Sequence, residues 1–146
     1  MNKNFVSLEQ ILGTDVEALT AIKEGDYPTE KLGLVPFQAL TQAEYKQAKK
    51  DCMKYVKNGK GGMELDFDDE KLKVRIIALA VDKDKRSSFT FMSKALLEKL
   101  GVVTADHAIE KLLSPGEIHN IAMEIQDLSG FGEKAQKDNE EAVKNS

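Results

Sequence analysis

The chain has 146 residues, 41% of them hydrophobic and 32% charged, with a formal net charge of −4. That suffices for one domain with a real core, is too short for two comfortable ones, and is too apolar for a wholly disordered chain. Lys and Arg scattered among Asp and Glu supply no basic face for nucleic acid and no polybasic membrane patch, and no run approaches the roughly 20 apolar residues of a membrane span.

Met1-Asn2-Lys3-Asn4 leads into no sustained apolar run, so no secretory signal is predicted. Two short helices follow. Ser7 to Gln10 makes a small capping box ahead of Ile11, Leu12 and a stop at Gly13, and Thr14 with Glu17 makes a second, with Val16, Leu19 and Ile22 apolar before Gly25. Each needs a docking surface to persist. Over 26–40, Pro28, Gly33 and Pro36 interrupt any helix while Leu32, Leu34, Val35, Phe37 and Leu40 roughly alternate, which predicts a hairpin or a pair of extended segments at an edge.

Thr41 with Glu44 opens a helix whose face is Tyr45, Ala48, Cys52, Tyr55 and Val56, ended by Asn58-Gly59. Lys60-Gly61-Gly62 reads as a flexible connection, and Asp66 to Glu70 as acids favoured at a helix start. Leu72 to Val81 is then apolar around most of its circumference, the candidate for the central buried helix; a buried strand competes because β-branched residues are frequent. Asp82 to Ser88 is a polar loop. Phe89, Phe91, Met92, Ala95, Leu96 and Leu100 fall on a helix stopped by Gly101, and Thr104 opens a shorter one with Ala108, Ile109, Leu112 and Leu113.

The last helix has both ends marked. Ser114 caps it, Pro115 fits the first helical position, Glu117 completes a capping box, and Ile118, Ile121, Ala122, Ile125 and Leu128 share a face until Gly130. Phe131, just past the stop, either staples that cap or stands as an exposed anchor. Beyond it, Gly132 to Ser146 is polar, a disordered tail or weak helix. The expected fold is therefore mainly α, a compact bundle of five to six helices with a small β-hairpin or extended insert near residues 28–40. Residues 1–28 would be loosely docked short helices, 29–131 the helical core domain, and 132–146 the tail.

No motif carries chemistry. The Asp82/Asp84 loop has Arg86, Ser87 and Ser93 where a calcium loop needs an acid, a glycine and a bidentate acid. Gly59 to Gly62 lacks the spacing and the Lys-Ser/Thr end of a phosphate loop. His107 and His119 have no companion at ligand spacing and are expected on the surface. The acids 66–70 have no partner base, and Cys52, the sole cysteine, reads as a small buried hydrophobe. These absences predict no enzyme, no cofactor and no metal.

Leu112-Leu113-Ser114-Pro115-Gly116-Glu117-Ile118, closing on Leu128-Ser129-Gly130-Phe131, resembles the C-terminal signature of the XkdN-like tail assembly chaperones of phages and prophages in Gram-positive bacteria. Pro36 to Tyr45 is similar to the earlier motif of that family, an extended element running into a "Leu-Thr-x-x-Glu-Tyr" helix start, and the likeness extends over roughly residues 30–131. It implies a non-enzymatic factor that binds the tape measure protein, with the tail tube protein as a further candidate partner, and keeps the former soluble while the tube polymerises. It implies action in the cytoplasm of the bacterial host and absence from the mature virion, and leaves a homo-oligomer open. The alternative is a small helical adaptor or regulator of another folded partner. Phe131, Leu128, Leu112 and Leu113 are the candidate partner-binding residues.

Overall fold

The computed structural model describes residues 5–131 and 139–143. Two short helices, α1 (Leu8–Leu12) and α2 (Val16–Leu19), lead into a hairpin of β1 (Glu24–Thr29) and β2 (Gly33–Gln38). Helix α3 (Gln42–Asp51) is followed by a second hairpin, β3 (Met53–Lys57) and β4 (Met63–Phe67). Then come α4 (Asp69–Lys83), α5 (Lys94–Leu100), α6 (Ala105–Leu112) and α7 (Pro115–Leu128), with a further helical run over 139–143. Each hairpin is a separate two-stranded antiparallel sheet.

The expectation of a five-to-six-helix bundle is overturned: the fold is mixed α/β, with more helices and two small sheets. The error lies between Cys52 and Phe67. Tyr55 and Val56 continue the helical spacing of Tyr45, Ala48 and Cys52, so they read as one face, yet α3 stops at Asp51. Met53 and Tyr55 instead pair with Phe67 and Leu65. The connection is a built turn. Asn58 Oδ1 accepts from the N–H groups of Lys60 (3.1 Å) and Gly62 (2.9 Å), and Gly61 takes φ +81°, which a side chain would disfavour. Two smaller corrections follow the same logic of caps. Asp15, not Thr14, occupies the cap of α2, and Phe89 to Met92 precede a helix that Ser93 starts by accepting from Leu96 N–H.

Helix α4 is the hub. Asp68 caps it, and Ile76, Ile77, Ala78, Ala80 and Val81 are all fully buried, as the all-round apolar sequence predicts. The β1–β2 hairpin and helices α3, α6 and α7 pack around it. The sheet turns Val35 and Phe37 inward, where Ile109, Ile121 and Ile125 meet them in one core. Gly25 stands opposite Phe37 in the register, and a Cβ there would lie 2.7 Å from both Phe37 Cε2 and Leu128 Cδ1. A bare backbone is what allows α7 and the sheet to close on each other. Both prolines of this hairpin sit in a two-stranded sheet, where each strand has a free edge.

Candidate partner-binding surfaces

Both sequence signatures turn out to be parts of one interlock between α7 and the first hairpin. At the start of α7, Ser114 and Glu117 form the reciprocal capping box, with Glu117 Oε1 accepting from Ser114 N–H at 2.9 Å. The other carboxylate oxygen of Glu117 accepts from Glu30 N–H in the β1–β2 turn, also at 2.9 Å. These backbone donors, those of Ser114 and Glu30, hold the Glu117 carboxyl below its ordinary pKa. At the other end, Ser129 Oγ donates to Ile125 O and accepts from Leu40 N–H at 2.9 Å, tying the helix to the end of β2. Gly130 (φ +96°) donates to Asp127 O and Phe131 N–H to Gln126 O, the paired bonds of a Schellman stop. Thr41 and Glu44 form their own capping box on α3, and Glu44 is also gripped by Lys83 Nζ at 2.6 Å.

The four candidate residues are not brought together. Leu112 and Leu113 lie at the α6–α7 elbow, and Leu128 and Phe131 at the far end of a 14-residue helix, about 21 Å away by its rise. Leu113 is buried in the core, and Leu112 and Leu128 pack against it. The ring of Phe131 meets Tyr45 of α3 edge-on at 4.9 Å, and 46% of the residue stays exposed.

A groove of about 580 Å³ opens between the starts of α4 and α7 and helix α6, with Val74, Leu113 and Ile118 as its floor and His107 and His119 among its lining. Both histidines are exposed, and among the described residues no cluster of His, Cys, Asp and Glu is arranged to hold a metal. Cys52 is buried, and burial pushes its thiol up, away from the thiolate a nucleophile requires. None of the helices formed by the described residues is long and apolar enough to cross a membrane.

Two apolar surfaces lie outside the four candidate residues, and sequence reasoning missed the first of them. The first is one face of the second hairpin. Met53, Tyr55, Met63, Leu65 and Phe67 alternate along their strands and so share a face, and all are exposed, Tyr55 at 72%. The signal was the alternation Met63-Glu64-Leu65-Asp66-Phe67, of which Asp66 and Phe67 were instead given to a helix start. The second is the N-terminal arm, where Leu8, Ile11 and Leu12 form a stripe, Val16 and Leu19 another, and neither helix buries a residue. A contiguous apolar face on a water-exposed hairpin, above an otherwise well-packed core, marks an interaction surface.

Comparison with known proteins agrees with the resemblance. No curated protein matches the chain. The crystal structure of the protein yqbn is similar in fold, with a TM-score of 0.58 at 19% sequence identity, over 89% of this chain and 100% of that one. A match to the family described as "Phage XkdN-like tail assembly chaperone protein" runs over residues 8–144, so it takes in the arm, both hairpins and the α7 interlock. By that match, the chain belongs to the family of phage XkdN-like tail assembly chaperones.

Proposed function

We propose that this chain is a non-enzymatic chaperone that binds the tape measure protein of its phage and keeps it soluble in the host cytoplasm until tube subunits enclose it, without remaining in the virion. The observation that carries the reading, within this family, is the exposed β3–β4 face. A long helical client has apolar stripes with no partner until the tube closes, and such stripes need a surface that accepts amphipathic helices of varied sequence. Two methionines and a leucine beside Tyr55 and Phe67 supply it, since flexible thioethers repack against different side chains while aromatic rings anchor them. Phe131, half exposed beside Tyr45, is a second contact point on another face.

The test is co-expression with the tape measure protein of the same phage. The unaltered chain is expected to co-purify with it, whereas Tyr55→Asp/Leu65→Asp should reduce the recovered client about tenfold or more. The same variant should still unfold as a cooperatively folded chain, because neither residue belongs to the buried core. Full retention of client by this variant would remove β3–β4 as the site. If instead the double variant keeps its client and Phe131→Ala loses it, the site is the end of α7.

A further inference from the structure

We propose that, while no client is bound, the N-terminal arm of one copy, residues 5–22, covers the β3–β4 face of a second copy, and the reverse, in a twofold arm-exchanged dimer. Neither surface is stable by itself. Helices of five and four residues do not persist in water, and a two-stranded hairpin is marginal with its apolar face wet. Each supplies what the other lacks, a stripe of Leu and Ile for a patch of Met, Tyr, Leu and Phe.

Charge selects this pairing over the alternatives. Between residues 5 and 22 the arm carries Glu9, Asp15 and Glu17 and no Lys or Arg. On the hairpin, Lys57 pairs with Met63 on the apolar face and Lys60 stands in its turn, while Glu64 and Asp66 fall on the opposite face by strand alternation. An acidic arm therefore meets a positive rim. Arm against arm sets three carboxylates against three, and hairpin against hairpin sets lysine against lysine.

Within one chain the two surfaces stay apart: the apolar side chains of both remain exposed, and they are rooted at opposite ends of α4. The arm leaves the fold where Lys23 O accepts from Ala39 N–H, beside Lys83 at the C-terminal end of α4. The hairpin springs from the other end, where Asp68 N–H donates to Cys52 O. Those ends are about 22 Å apart along the 15-residue helix. Burying about ten apolar side chains at about 60 Å² each removes about 600 Å² per arm–hairpin contact. One such contact is too small for a stable interface, and two related by a twofold reach about 1,200 Å², the lower end of the stable range.

The test uses the purified full-length chain without client, so its outcome is separate from that of client binding. Sedimentation should find a dimer at micromolar concentration. Leu8→Asp/Leu12→Asp in the arm and Tyr55→Asp/Leu65→Asp in the hairpin should each weaken self-association about a hundredfold or more, because each change strikes both symmetric contacts. Mixing the two variants restores one intact contact, between the arm of the hairpin variant and the hairpin of the arm variant, so the mixture should associate more tightly than either variant alone and more weakly than the parent. Leu12→Ser and Leu65→Ser repeat the experiment should a charge cost the fold. A monomeric parent at about 100 µM, above the range of specific interfaces of this size, overturns the proposal. So does an arm variant that dimerises as the parent does, or a mixture that associates no more tightly than either variant alone.

Discussion

Phe37→Ala is expected to cost about 3–5 kcal/mol, the range for removing a buried aromatic from a packed core. Phe37 is fully buried, and it sits where three elements meet: the β1–β2 sheet, α4 and α7. Its ring occupies the space above Gly25 that a Cβ cannot share, and the Leu128 side chain closes the other side. Loss of the ring leaves a cavity that neither strand can collapse into, because the hairpin is pinned at Glu30 by Glu117 and at Leu40 by Ser129. Against a total stability of about 5–15 kcal/mol, such a loss leaves a protein that unfolds readily. Thermal melting should show the midpoint about 10 °C lower or more for a chain of this length. A shift of less than about 3 °C would mean the sheet repacks freely and is not held by α7 as described.

Arg86→Met should be the most damaging change at a charged position, by about 2–4 kcal/mol at pH 7. The Asp84 side chain is fully buried, and Arg86 Nε reaches its two oxygens at 3.2 and 2.9 Å. The same guanidinium donates to Gly25 O at 2.6 Å and pairs with Glu24 at 2.8 Å, so it joins the end of α4 to the root of β1. The cost is set below that of a wholly buried pair because the arginine side chain itself is 41% exposed and water can take part of its place.

The pH dependence separates this from a simple loss of packing. Burial pushes the Asp84 carboxyl up, but hydrogen bonds from the Arg86 side chain and backbone, with its charge, outweigh burial and hold it below its ordinary 3.8. A folded pKa below the unfolded one gives stability that is present above about pH 4 and lost as pH falls through the folded value. Without the Arg86 side chain only the backbone N–H of residue 86 opposes the larger effect of burial, so the folded pKa rises above the unfolded one, the sign reverses and stability increases as pH falls. Denaturation at pH 7 and pH 5 should therefore show the gap between variant and parent narrowing at pH 5. A gap that is the same at both would mean the carboxylate stays charged and hydrated.

What was legible in the sequence was local. Ser7, Thr41, Thr104 and Ser114 cap their helices because each side-chain oxygen finds an N–H three residues on, and that spacing is visible in the chain itself. The central helix was legible from the all-round apolar run behind Asp68 to Glu70. The second hairpin was not, because Tyr55 satisfies a helical period with Ala48 and Cys52 and a strand period with Met53, and only the turn built by Asn58 decides. The Asp84–Arg86 clamp was also hidden. An Asp-Lys-Arg run in a polar loop looks solvated until the fold brings Glu24 and Gly25 to it from some sixty residues away. For the same reason the signature around α7 identified a family before it explained anything. Its structural logic, a capping glutamate that also holds the Glu30 turn, depends on a contact 87 residues apart.

The most direct measurement is the soluble fraction of the tape measure protein, expressed with and without this chain in the same host background. The chaperone reading predicts a client that is mostly insoluble alone, becomes mostly soluble with the chain, and elutes with it as a complex. A client whose soluble fraction is unchanged, and which never co-elutes with the chain, would contradict it.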